Sequence, residues 1–159
     1  MHRRNILTAT LAGVGGLFAA GSATRSAQAA PDNPKVVYHL SDLDKVAFVL
    51  GNIRNHFDGM GGPDKVTIAL VVHGPALKAF QASSASPDLK QHVSQFAKSG
   101  LELNACGNTM KAQNVTLKDL LPGFIVADRG GVVHIAELQS RGYVYLRPWA
   151  PTSRRRYRA

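Results

Sequence analysis

Val66-Thr67-Ile68-Ala69-Leu70-Val71-Val72, followed at once by His73-Gly74-Pro75, decides the fold. Only Thr67 interrupts the apolar run. A strand with one wet face alternates apolar and polar residues. A nearly continuous run suits a strand covered on both faces, as in a parallel sheet flanked by helices. Gly74-Pro75 then stops it. Upstream, residues 35–40 (KVVYHL) form a second short apolar, β-branched run. Ser41 is placed to cap a following helix, with Asp42 and Asp44 in its first turn. Across residues 43–57 the apolar positions Val46, Leu50, Ile53 and Phe57 lie four, three and four apart, one stripe of a helix.

Downstream the alternation continues. Residues 76–81 predict a helix. Pro87 suits the first turn of another, over residues 87–99, with Leu89, Val93 and Phe96 on one face. Residues 101–106 (LELNAC) form a third strand, and Gly107-Asn108-Thr109 turn into a short helix. Thr116 caps a further short helix through Leu121. Residues 124–127 and 143–147 form the fourth and fifth strands, with a helix over 130–141 between them. Strands alternating with helices predict a three-layer α/β/α domain with a mainly parallel sheet of about five strands.

The 159 residues suit one domain, and 45% hydrophobic with 18% charged residues is an ordinary globular balance. The formal charge of +9 is concentrated at the ends. Arg3, Arg4 and Arg25 stand near the start, and Arg154, Arg155, Arg156 and Arg158 near the finish. Residues 30–153 carry 12 Lys/Arg against 10 Asp/Glu, so the body is close to neutral. That excludes the broad basic face of a nucleic-acid binder, and no such partner is expected.

Residues 1–29 have the order of a cleavable signal peptide: two arginines, a weakly apolar run over 6–20, and Ala27-Gln28-Ala29. Cleavage is expected after Ala29 or one residue later. Arg3-Arg4-Asn5-Ile6-Leu7 resembles the core of a twin-arginine leader; an ordinary secretory leader is the alternative. Either route places the protein in the periplasm. The apolar run is shorter than the ~20 residues of a membrane span, so no stable membrane anchor is expected. Residues 30–34 form a linker, the folded domain occupies 35–150, and 151–159 form a basic tail read as a solvated end.

In open α/β sheets ligands bind beyond the carboxyl ends of the strands. Those ends carry His39, His73-Gly74 and Cys106-Gly107, which meet on one edge if the three strands are neighbours. Cys106 is the only cysteine. A helix opening after it favours the thiolate and hence a nucleophile or sulfur-carrying group; the other reading is a small apolar residue filling the sheet end. His39 and His73 read as proton carriers, as metal ligands together with Cys106, or as satisfied strand-end histidines. Asn108 and Thr109 either orient a group bound at Cys106 or cap the helix. Asn52 and Asn55 share a helix face, either hydrogen-bonding a neighbouring subunit or loop or lying in solvent. No cofactor is expected.

Taken together, Val37-Tyr38-His39, Asn52-Ile53-Arg54-Asn55, Val72-His73-Gly74-Pro75, Ala105-Cys106-Gly107-Asn108-Thr109-Met110, Asp119-Leu120-Leu121-Pro122-Gly123, and Leu138-Gln139 leading to residues 142–148 resemble the DsrE/DsrF-like family. The resemblance implies a parallel α/β/α fold and a homo-oligomer, commonly a trimer or hexamer. Its sulfur-relay members carry sulfur as a persulfide on a cysteine after the third strand, which corresponds to Cys106. The implied partner is a small sulfur species or a thiol partner protein. Gly107-Asn108-Thr109-Met110-Lys111 departs from the stretch of small residues with Arg-Gly that follows the cysteine in those members. Whether such a chain is an enzyme of sulfurtransferase type or a carrier stays open, because both need the same thiolate. Non-catalytic binding of a metal or small ligand by His39, His73 and Cys106 is the alternative.

Overall fold

In the computed structural model, which describes residues 33–149, the apolar run becomes the middle of a sheet. The strands are β1 (Lys35–Leu40), β2 (Thr67–Val72), β3 (Glu102–Cys106), β4 (Phe124–Ala127) and β5 (Val144–Leu146). All pairs are parallel, in the order β4-β3-β2-β1-β5. β2 has a strand on each side and helices over each face, so Ile68, Ala69, Leu70, Val71 and Val72 are completely buried. The three-layer α/β architecture with a five-stranded parallel sheet is as the sequence predicts. The expected leader over residues 1–29, the first residues of the expected linker and the expected tail lie outside the described residues.

Strand order dictates the layers. From β1 through β4 each connection steps the same way across the sheet. Right-handed crossovers then put α1 (Val46–Met60), α2 (Pro87–Lys98) and α3 (Gly107–Ala112) on one face. The chain returns across the sheet to reach β5, so the same handedness places α4 (Gly131–Ser140) on the other face. The core follows this division. Val36, Tyr38, Leu40, Ile68, Leu70 and Leu103 pack with α1 and α2, whereas Val37, Ala69 and Val71 pack with Ile135, Leu138 and Tyr143. The α4 layer is thin: Ile125 on β4 is 58% exposed.

Local chemistry fixes most element ends. The apolar stripe of α1 buries Val46, Val49, Leu50, Ile53 and Phe57, and the helix closes at Gly61 in the left-handed region (φ 89°), with Gly62 N–H donating to the Phe57 carbonyl. Ser86 caps α2 by accepting from the Leu89 N–H at 3.2 Å, with Pro87 in the first turn.

Three expectations are corrected. Ser41 does not cap a helix; a 3-10 turn over Leu43–Lys45 precedes α1, and the Ser41 hydroxyl instead accepts from Arg147. Residues 76–81 are not α-helical, since Gly74–Phe80 is a 3-10 run. Its spacing points Ala76, Leu77 and Phe80 into the core. Thr116 does open a helical turn, through a capping box with Asp119, but only one 3-10 turn follows, over Leu117–Asp119. Leu120 and Leu121 are drawn into extended backbone by pairing with Gln81 and with the Phe80 carbonyl.

Leu70→Ala should cost about 2–5 kcal/mol in urea unfolding, the range for truncating a fully buried leucine. Val144→Ala, on the exposed β5 edge, should cost less than about 1 kcal/mol. Equal costs would contradict a core centred on β2.

Candidate functional site

Because β1, β2 and β3 are adjacent and parallel, their carboxyl ends form one edge. The register pairs His39 with Val71, Leu40 with Val72, and Val72 with Ala105. His73 and Cys106 therefore leave the sheet side by side, as the neighbouring-strand argument requires. The start of α4 descends between them. A Cβ added to Gly131 would stand 3.3 Å from Cys106 Cβ and 3.4 Å from His73 Cβ, so only glycine allows this approach without displacement.

Cys106 is 6% exposed and is the residue immediately before α3. Its side chain forms no capping hydrogen bond. Burial pushes the thiol pKa up. The Thr109 hydroxyl and the backbone N–H groups of Gly131, Thr109 and Asn108 more than offset that, and hold it below the ordinary thiol value. The donors come from the openings of both α3 and α4. Asn108 itself is exposed, and its amide nitrogen crowds the position a Gly130 Cβ would take, at 2.6 Å. Thr109 Oγ1 accepts from the Gly74 N–H at 2.9 Å. Thus Gly74, Gly107, Asn108 and Thr109 do gather around Cys106.

The two histidines engage each other. Their Nε2 atoms face in direct contact, with ring centroids 4.6 Å apart and planes at 22°. The Tyr145 hydroxyl holds His39 Nδ1 at 2.6 Å. Burial, then His73 and Arg147, bring His39 down to about 4 against an opposing pull from Asp42. Burial and Arg147 also lower His73, again against Asp42. Both rings are therefore neutral near neutral pH, and one Nε2–H donates to the other Nε2. Neither imidazole is among the groups acting on the thiol. Among the described residues no three His, Cys, Asp or Glu side chains are arranged to hold a metal, so His39, His73 and Cys106 do not form that set.

Asn52 and Asn55 stand elsewhere. Asn52 lines a groove with Tyr38, Phe48 and Trp149. Asn55 lines a cleft of about 610 Å³ between α1 and α2, with Arg54 and His92. Both sit on α1, across the sheet from α4. Sequence reasoning missed Gly131 and Tyr145. The Gly130-Gly131 pair opening a helix was a usable signal for close approach; Tyr145 needed the strand order.

The model of the DsrE/DsrF-like family matches residues 22–148. The chain belongs to the DsrE/DsrF-like family. That family is associated in general with sulfur relay. Among solved structures, the fold is similar to that of MTH1491 from Methanobacterium thermoautotrophicum, a protein of unknown function. The two share 29% identity and a TM-score of 0.64, covering 73% of this chain and 100% of that one. The ychN protein from E. coli shares the fold at 12% identity and a TM-score of 0.55, over 73% of this chain and 99% of that one. No curated protein matches. As a DsrE/DsrF-like domain, the chain presents its cysteine among neutral donors at the end of its third strand.

The histidine pair makes stability pH-dependent. Below about pH 6.5 the unfolded chain binds a proton at residue 39 that the folded chain refuses until about pH 4, so stability falls across that window and levels off below it. Thermal unfolding should show this decline, and His39→Gln should flatten it. Identical slopes in the two proteins would refute the half-buried neutral pair.

Proposed function

We propose that this protein is a periplasmic sulfur carrier of relay type that holds sulfane sulfur as a persulfide on Cys106. The observation that carries the reading is the thiol itself: buried, at a strand end, with its anion favoured by the Thr109 hydroxyl and N–H groups from two helix openings. Family membership supports the sulfur chemistry. The location rests on the leader-like residues 1–29.

Loading is written as a transfer. The Cys106 thiolate attacks the terminal sulfur of a polysulfide. A new S–S bond forms, and the donor's S–S bond breaks. Its electron pair leaves with a polysulfide one sulfur shorter, so no outside oxidant is needed. Delivery reverses these steps onto an acceptor thiolate. With 6% of Cys106 exposed, a small inorganic donor reaches it more readily than a folded protein does. A partner protein would have to insert a thiol between the α3 and α4 openings. His39 and His73 lie next to this route as a neutral pair, and we assign them to keeping this edge free of a competing cation. Being one cysteine in an exported chain, Cys106 has no internal partner with which to close a disulfide.

Self-association belongs to the same proposal. Ile125 at 58% and Val132 at 68% exposure lie on the thinly covered α4 face, and apolar surface there favours a second copy. A trimer or hexamer accords with the family resemblance.

Intact mass of the purified protein, before and after a polysulfide donor, tests the carrier reading. A gain of about 32 Da per sulfur atom is expected, reversed by mild reductant and absent from Cys106→Ser. No gain, with a thiol that labels only in denaturant, would make Cys106 a core residue and end the proposal.

A further inference from the structure

On the face of the sheet that carries α1, α2 and α3, the chain builds a groove of about 690 Å³ between α2 and residues 121–123. Val93, Ala97, Leu121 and Pro122 give it apolar walls, and Lys90 and Lys98 line it as well. The spacing along α2 explains this mixture. Val93 and Ala97 lie four apart, and so do Lys90, Ser94 and Lys98. Positions four apart share a helix face, so an apolar row and a cationic row run side by side along one groove. Lys90 and Lys98 are separated by about 12 Å along the helix axis. A lysine lays its methylenes on apolar surface and keeps its ammonium in water. The groove is therefore apolar inside and cationic towards both ends.

A glycine turn and small side chains shape it. Gly123 takes the left-handed region at φ 100°, and a Cβ there would stand 3.1 Å from Ala97 Cβ. Only glycine brings residues 121–123 this close to α2 without displacement. Ala82, whose N–H donates to the Asp119 carbonyl at 2.8 Å, adds just a methyl group to the lining. Val93 and Leu121 are buried, and none of the large apolar side chains that stand exposed among the described residues lines this groove. The apolar surface is thus recessed. A recess admits a slender chain, whereas a folded partner needs about 800 Å² of surface on each side.

Charge sets the sign of the occupant. No acidic side chain lines the groove, and among the described residues neither lysine is held in an ion pair. The 610 Å³ cleft between α1 and α2 differs, because Arg54 shares it with Asp44 and Asp88. We propose that the groove between α2 and residues 121–123 binds a single-chain amphiphilic anion of the fatty-acid class, its hydrocarbon along Val93, Ala97 and Leu121 and its carboxylate at Lys90 or Lys98. The volume falls within the range of small-molecule sites. Burial of methylenes supplies the affinity, and the lysines select an anion over a neutral chain. No residue of the Cys106 site lines this groove, so the inference is independent of the sulfur reading.

The test is isothermal titration of the full-length protein with monomeric decanoate, with thermal unfolding recorded for every variant. One saturable site per chain is expected, with affinity falling as salt rises. Ala82→Phe puts a ring into the groove and should abolish binding. Lys90→Gln combined with Lys98→Gln should weaken it about tenfold, the scale of losing a hydrogen bond to a charged group. Decanol should bind the unsubstituted protein about as weakly as decanoate binds that double variant. The three positions are exposed, so the unfolding temperatures should stay close together. Absence of saturable binding overturns the proposal, and so does binding that neither the Ala82 nor the lysine variants change. Attachment only to phosphatidylglycerol vesicles, lost in the double lysine variant, would make the lysines a membrane contact and overturn it too. Decanoate binding together with no mass gain from polysulfide would end the carrier reading and leave this one standing.

Discussion

Everything at the candidate site depends on the parallel register of β1, β2 and β3. Parallel ladders bring like ends together, so residues that close different strands meet without being near in sequence. Six paired positions join β1 to β2, from Lys35 with Thr67 to Leu40 with Val72. Four more join β2 to β3. Slipping one of these ladders by a residue would turn Val71 toward the α1 layer and Val72 toward α4, exchanging two packed faces. The apolar saturation of β2 thus does more than fill the core. It fixes the level at which His73 and Cys106 emerge.

The same sheet explains why the chain needs glycine at the opening of α4. The return crossover from β4 to β5 must pass over the neck of β3 and β2, and Gly131 lies against Cys106, Val71 and His73. A layer made by one helix reaches that close only where a side chain is missing. The close approach supplies the Gly131 N–H to the sulfur, and it leaves the flanks of the sheet open at Ile125. Site chemistry and exposed apolar surface are two consequences of one return connection.

Much of this was legible in the residues, for identifiable reasons. The near-continuous β2 run, the 3.6-residue stripe of α1 and the Pro87 helix start are local signals, and each matches the structure closely. The strand-end residues were legible because parallel topology turns sequence position into spatial position. What failed was local structure overruled by distant contacts. Ser41 bonds with Arg147, more than a hundred residues away, and Leu121 follows the Phe80 carbonyl. The pairing of His39 with His73 and Tyr145 required the β2-β1-β5 order, which periodicity does not encode. Asn52 and Asn55 were placed on one helix correctly, but no sequence signal told that they line different grooves on the far side of the sheet.

The way the thiolate is stabilised also bears on what it is suited to carry. A buried thiolate paired with a cationic side chain leaves an unpaired buried charge whenever the sulfur is neutralised, and that loss is expensive. Here no charged side chain is among the groups that act on Cys106; a hydroxyl and three backbone N–H groups do the work. Protonating or modifying the sulfur leaves only neutral dipoles, some of which can turn to another acceptor. A persulfide places its charge one atom further out, and donors arriving from two helices span more space than a single cation can. A dipolar cradle of this kind suits the proposed carrier role, in which the sulfur would alternate between loaded and unloaded forms. The neutral His39–His73 pair follows the same economy: burial and Arg147 keep both rings uncharged, so no imidazolium competes for the anion or is stranded when it moves away.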